Sequence, residues 1–305
     1  MKYFRILSML AFVSLIAASF TACDEDSTSP IDNDPVLAAP SNLKAASADG
    51  AIFLSWTASI DETESNFGSY SITILNKSTN ETLAPRTAGK GITSARIDGL
   101  SNGVRYQFTI RSVTNQGKEG TTFATVEWSP AERQNTDAGG LPIKVYATTS
   151  TTFNSAVDLY NAAGMAEVIP QAGQTFRDRG DLFVNATSNS SSLEITSPDQ
   201  ANNQGMETQF SNASPVDVDN LDAQLSSEPP TDASYTLKKL TVQTGSAATG
   251  RVYWGRLVRG SEKFYFRILV KKGSNGSLIQ GSNADRFLEM VASFQNAPNN
   301  PFAKH

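Results

Sequence analysis

Between residues 40 and 134, short apolar runs alternate with turn signals every 8–12 residues or so, the rhythm of an antiparallel β-sandwich. The runs fall at 43–47, 52–56, 70–75, 94–97, 106–113 and 121–128. In Tyr70-Ser71-Ile72-Thr73-Ile74 every second side chain is large and apolar, and Tyr106, Phe108 and Ile110 repeat the pattern. A strand of that period turns one face to a core and the other to solvent.

Past a small-residue stretch at 135–141, the same period returns at 143–147, 181–184 and 192–195. The clearest hairpin pairs 251–258 with 263–270 across a turn at 259–262. Phe264, Phe266, Ile268 and Val270 share one face of its second strand, and Tyr265, Arg267 and Leu269 the other. Large residues on both faces predict a central strand covered on both sides, or an interface. Residues 286–295 fit a helix stripe through Phe287, Leu288, Val291 and Phe294, and equally a strand face through Leu288, Met290, Ala292 and Phe294. The β context favours a closing strand. Residues 199–234 are rich in Asn, Gln, Ser, Asp and Pro, and read as a functional loop or a partly unstructured one.

The N-terminus predicts an address. Lys2 and Arg5 precede an apolar run at 6–16, and small residues then lead to Cys23. This is the layout of a cleavable secretory leader over 1–22, with an apolar run too short to span a bilayer. Residues 20–23, Phe-Thr-Ala-Cys, resemble a bacterial lipobox, although Phe20 stands where Leu is usual. The resemblance implies cleavage before a lipidated Cys23, which also accounts for a lone cysteine in an exported chain. Ordinary secretion with a free thiol is the plainer alternative. The acidic stretch at 24–26 is similar to the export signal by which some Gram-negative lineages display lipoproteins. Residues 23–39 read as an unstructured tether. The expected location is therefore the cell envelope, at the outer membrane or cell surface, held by a lipid anchor.

Within 40–134, Pro40 and Leu43 open a first strand, Trp56 closes a second and Tyr70 lies in a third. Leu100 and Tyr106 lie six residues apart around Asn102-Gly103, Asn115-Gln116-Gly117 suits a last hairpin, and Ser129-Pro130 an exit. This segment resembles a fibronectin type III domain. The resemblance implies an immunoglobulin-like sandwich with Trp56 and Tyr106 in its core and a tyrosine corner at Tyr106. The fold class expected is all-β: this sandwich, a linker at 135–141, a second β-sandwich-like domain at 142–297, and a disordered tail at 298–305.

The chemistry available is narrow. The only histidine is His305, the last residue, and the only cysteine is Cys23. That removes Ser-His-Asp and Cys-His nucleophiles and metal sites built on nitrogen or sulfur. Carboxylate pairs survive, since a glycosidase needs only two acids; Asp158, Glu167, Asp178, Asp181 and Glu194 are the candidates. Asp217, Asp219, Asn220 and Asp222 offer oxygen ligands for calcium at loosely suitable spacing, without the glycine that would sharpen the loop. Arg179-Gly180-Asp181 matches an adhesion tripeptide but also suits an ordinary turn. Tyr253, Trp254, Phe264 and Tyr265 cluster on the hairpin; Trp254, with Tyr265 beside it, is the candidate ligand contact, against the alternative of a strand buried on both sides.

A formal charge of −5, without a basic stripe, argues against nucleic acid. The expectation is a non-catalytic binding or scaffold protein without cofactor. Its partners would be the membrane, through the anchor, and an envelope or surface protein or a polysaccharide. A carbohydrate-binding component of a polysaccharide-handling system is the alternative, and a carboxylate-dependent glycosidase stands behind it.

Overall fold

Seven strands build the N-terminal sandwich: β1 (Ser41–Ala48), β2 (Ala51–Thr57), β3 (Phe67–Asn76), β4 (Glu81–Gly89), β5 (Ser94–Asp98), β6 (Tyr106–Thr114) and β7 (Ala124–Trp128). They form two antiparallel sheets, β1-β2-β5 and β4-β3-β6-β7. The two-residue period closes them on one core containing Trp56, Tyr70, Ile72, Phe108 and Trp128. Tyr106 is buried, and its phenol oxygen accepts the Ser101 N–H at 3.1 Å, which makes the expected tyrosine corner. The structure, a computed structural model, describes residues 36–134, 140–201, 205–245 and 247–303. The expected leader, Cys23, the acidic stretch after it, residues 135–139 of the expected linker and His305 lie outside the described residues.

Strand β4 carried no apolar signal, because Ala88 is its only buried residue. It is an edge strand, and Pro85 sits where its register against β3 shifts, a place where a missing N–H costs no ladder bond.

The remaining strands are β8 (Glu132–Gln134), β9 (Ile143–Tyr146), β10 (Ala156–Asp158), β11 (Glu167–Ile169), β12 (Leu182–Ala186), β13 (Ser192–Thr196), β14 (Glu207–Ser211), β15 (Val216–Asp217), β16 (Tyr235–Leu237), β17 (Lys239–Gln243), β18 (Arg251–Arg259), β19 (Glu262–Val270) and β20 (Phe287–Phe294). One helix, α1 (Gly173–Arg179), precedes β12. A five-stranded sheet, β11-β10-β12-β13-β17, faces a larger one ordered β16-β14-β18-β19-β20-β8. Val184, Leu193, Ile195 and Val242 from the first meet Phe210, Phe266, Ile268, Val270 and Leu288 from the second in one core. Residues 287–294 are thus a strand, as the β context argued.

The second face of the large sheet is covered too. Leu221, from the polar 199–234 stretch, and Tyr235 immediately after it pack on Val252, Trp254, Tyr265 and Leu269. Among the described residues of that stretch, β14 pairs with β18 and buries Thr208 and Phe210. Its buried apolar residues are scattered, Phe210 on β14 and Leu221 beyond it, too sparse a pattern to register as a period.

Val36–His305 forms one compact unit. Strand β8, which follows the first sandwich directly, pairs with β20 of the second. Ala45 of β1 bridges Ser226. Residues 298–303, expected as a disordered tail, dock instead. Asn300 donates to the Gly103 carbonyl at 2.8 Å and to Ser129 Oγ at 3.1 Å, and the Phe302 ring meets Trp128 edge-on at 6.0 Å. Polar side chains with a packed aromatic are enough to fix a segment that has no strand pattern.

Candidate functional site

At one end of the second sandwich, strand ends from both sheets frame a cleft of about 640 Å³. That volume lies inside the range typical of small-molecule sites. β10, β11 and the end of α1 supply one wall: Asp158, Glu167, Asp178, Arg179 and then Asp181. The β18–β19 hairpin and the end of β20 supply the other, with Leu257, Arg259, Phe264 and Phe294. Tyr160 and Asn161 close one side, and Met206 and Asn296 also line it.

The polar wall is an ion-pair network. Arg179 spans two acids, donating to Asp158 at 2.8 Å and also to Glu167. Those two bonds, Asp158 first, hold its guanidinium above its usual value. Asp181 is 5% exposed; it pairs with Arg259 and accepts the Leu159 N–H at 2.7 Å. Burial pushes its carboxyl up to about 6, against the opposing pull of Arg259. Asp178, at the rim, accepts from Gln174 at 2.7 and 2.8 Å.

Local structure explains this placement. α1 ends at Gly180, whose N–H donates to the Phe176 carbonyl. A Cβ at 180 would come within 2.7 Å of that oxygen, so only glycine lets the chain turn here and send Arg179 and Asp181 into the same cleft. In the Arg-Gly-Asp tripeptide Arg179 stays exposed while Asp181 turns inward. Its aspartate is buried on Arg259, so it is not an exposed adhesion loop.

The opposite wall is aromatic. Tyr160 and Phe294 stack at 5.2 Å with planes 12° apart, and Phe264 and Phe294 at 6.4 Å and 8°. Strand β8 steadies this side. Glu132 accepts from Asn296 at 2.5 Å and from the Tyr160 hydroxyl at 3.4 Å, while Gln134 donates to the Gly164 carbonyl at 3.1 Å. Burial raises the Glu132 carboxyl above its ordinary value.

Four of the five carboxylates singled out from the sequence therefore meet in one cleft; Glu194 does not, and is held by Lys239 at 3.0 Å. The acids considered for calcium are dispersed. Asp217 pairs with Arg251, Asp219 accepts the Gly250 N–H, and Asp222 pairs with Arg133. Among the described residues no group of three or more His, Cys, Asp or Glu is placed to hold a metal ion.

The ligand-contact expectation for Trp254 and Tyr265 needs correction. Trp254 is 4% exposed and Tyr265 3%, both packed beneath Leu221 and Tyr235. Tyr265 borders a smaller hollow of about 310 Å³, and its hydroxyl donates to Asp232 at 2.8 Å. Neither offers a ring face to a ligand, because the 199–234 stretch covers that side of the sheet. Of the four clustered aromatics only Phe264 reaches the cleft. Arg259, Tyr160, Phe294 and Asn296 were not picked out from the sequence. A hairpin-end arginine beside Phe264 was the only local cue.

The family model of the fibronectin type III domain matches residues 38–128. The chain is also similar to the FN3 domain of human collagen XX, with 18% identity over 30% of this chain and 91% of that one and a TM-score of 0.25. It is similar to the FN5 domain of Drosophila Lar, with 18% identity over 32% of this chain and 100% of that one and a TM-score of 0.24. A third similarity is to the Clostridium perfringens spore cortex lytic enzyme SleM, with 18% identity over 30% of this chain and 28% of that one and a TM-score of 0.25. No curated protein matches the chain.

Proposed function

With residues 38–128 a fibronectin type III domain, we propose that this chain is a non-catalytic binding protein of the bacterial cell envelope, tethered by a lipid on Cys23. The fibronectin type III domain supports a binding or scaffold role. The observation that carries the reading further is the joint between the two sandwiches. Strand β8 runs from the first straight into the sheet of the second, and its Glu132 and Gln134 hold the rim of the cleft. A module fused to its neighbour in this way acts as a rigid stalk for a contact site, and the contact site is the cleft. The partner is an envelope or surface protein or a polysaccharide, and the location is the outer membrane or cell surface. No cofactor is needed for such a role.

Fractionation of the full chain expressed in a Gram-negative host tests the tether. The protein should sediment with membranes and require detergent for release, and Cys23→Ser should move it to the soluble fraction. Equal partitioning of the two would refute lipid anchoring.

One observation favours a second reading. Four carboxylates share the cleft, and burial pushes Asp181 up to about 6, a value suited to a general acid. The reading as a glycosidase is weaker because the three inner acids are each already engaged by a guanidinium, Asp158 and Glu167 by Arg179 and Asp181 by Arg259. Release of reducing ends from polysaccharides, abolished in Asp181→Asn, would establish it.

A further inference from the structure

We propose that the cleft at the end of the second sandwich is a binding site for an uncharged pyranose glycan, held between the aromatic wall and the Arg179–Asp158–Glu167 network. This rests on reading the chain as a binding protein and names the ligand class of its site.

Charge balance comes first. Asp158 and Glu167 share Arg179, and Asp181 has Arg259. An ionic ligand would have to displace one of these partners. The wall also carries more carboxylates than guanidiniums, which disfavours phosphate, nucleotides and acidic sugars. Yet the paired groups keep hydrogen-bonding capacity. An ionised carboxylate has about four acceptor sites and a guanidinium five donors, and their bonds to hydroxyls are charge-assisted. Such a wall suits a neutral molecule dense in hydroxyls.

The facing wall asks for the opposite. Tyr160, Phe264 and Phe294 lie within 12° of parallel in their stacked pairs. They form an apolar rank beside Leu257 and Met206. A pyranose ring carries both characters at once, with C–H groups on its faces and hydroxyls around its edge. A purely apolar ligand would leave the ionic wall desolvated without partners, and a purely polar one would waste the rings. The cavity, at about 640 Å³, takes more than one sugar ring. The rim is preorganised, since Glu132 and Asn296 fix Tyr160 before any ligand arrives.

Isothermal titration of the full chain carrying Cys23→Ser tests this against short neutral β-glucan, xylan and mannan oligosaccharides. Alginate oligosaccharide and a lysine-rich peptide serve as the acidic and basic counterparts. Saturable binding to a neutral oligosaccharide is expected. It should weaken at least tenfold in Phe264→Ala and in Glu167→Gln, with melting temperatures held within the range of surface variants. Glu167 is an exposed rim acid, so the second variant keeps the fold while removing the negative charge that faces Arg179. Binding of only the alginate or only the peptide overturns the proposal, as does neutral binding that both variants leave unchanged, or none at millimolar concentration. Each of those failures leaves the fractionation result intact and so is distinguishable from failure of the anchored reading. A neutral oligosaccharide that is cleaved after binding supports the site assignment and overturns the non-catalytic reading instead.

Discussion

Arg267, on β19 of the second sandwich, donates to the main-chain carbonyl of Ser47, on β1 of the first, at 2.6 Å. The guanidinium is fully buried and also donates to the carbonyl of Leu221 at 2.9 Å and to the Gln224 side chain at 3.1 Å. Burial lowers its pKa well below the arginine norm, and Arg133 nearby adds to that. It is a cation neutralised by carbonyl dipoles at the seam between two sandwiches, with the Arg133–Asp222 pair beside it.

Arg267→Met keeps the apolar stem and removes the donors. Each carbonyl left without its donor costs roughly 1–3 kcal/mol, and recovery of the guanidinium's desolvation cost offsets part of that. A net loss of about 2 kcal/mol is expected. Calorimetry should show one transition for the parent chain and two for the variant, because the seam joins the sandwiches. A single unshifted transition would remove Arg267 from the joint.

Gly255 on β18 faces Phe266 on β19 in register. A Cβ at 255 would sit 2.2 Å from the tip of that ring, which is itself wedged edge-on against Phe210. Gly255→Ala should destabilise by about 1–3 kcal/mol through overpacking. Adding Phe266→Leu should recover part of the loss, since the shorter side chain vacates the contact. Urea unfolding of the two single variants and the double gives the coupling directly.

The carboxyl of Asp181 makes stability depend on pH in a stated direction. Its folded value is raised to about 6, against about 3.9 in an unfolded chain. The folded state therefore holds the proton more tightly. The resulting stabilisation is fully present below about pH 4 and is lost as pH rises to about 6. Two units correspond to about 3 kcal/mol. Relative to Asp181→Asn, the parent should lose that amount between pH 4 and 6 and run parallel above pH 7. Chemical denaturation at five pH values measures it, and a constant difference across the window would contradict a buried, titrating Asp181.

Phe302 packs on Trp128 and lies under Arg105, whose guanidinium carbon is 4.5 Å from the ring centre. Phe302→Ala should cost about 1–2 kcal/mol, below the range for a fully buried aromatic because the ring is only half-buried. Limited proteolysis should then cut the chain after 295 faster than in the parent. Unchanged cleavage would mean that the hydrogen bonds of Asn299 and Asn300 hold the segment without the ring.

The first sandwich was readable because its signals are local. Ile72, Ile74, Phe108 and Ile110 announce their shared face by a period of two. Leu100 and Tyr106 lie within one turn and strand. The β18–β19 hairpin was readable for the same reason, including the double-sided burial of β19. In the first sandwich the strand that escaped notice, β4, buries one alanine, and the docked segment at 298–303 has no period at all.

The cleft is a different matter. Asp158 and Glu167 were picked out along with Glu194, which ended elsewhere, and nothing in their spacing separates them from it. Arg259 reaches Asp181 across 78 positions of chain, and Phe294 stacks on Tyr160 from the last strand. Trp254 looked as able to face solvent as Phe264 until the 199–234 stretch was laid over it. Periodicity decides which side of a strand is apolar, because that depends on neighbours two residues away. Which apolar side is then covered, and which acids come to share a cavity, depends on how two sheets stack and where a long connection folds back. Those contacts join residues far apart in sequence, and no local pattern encodes them.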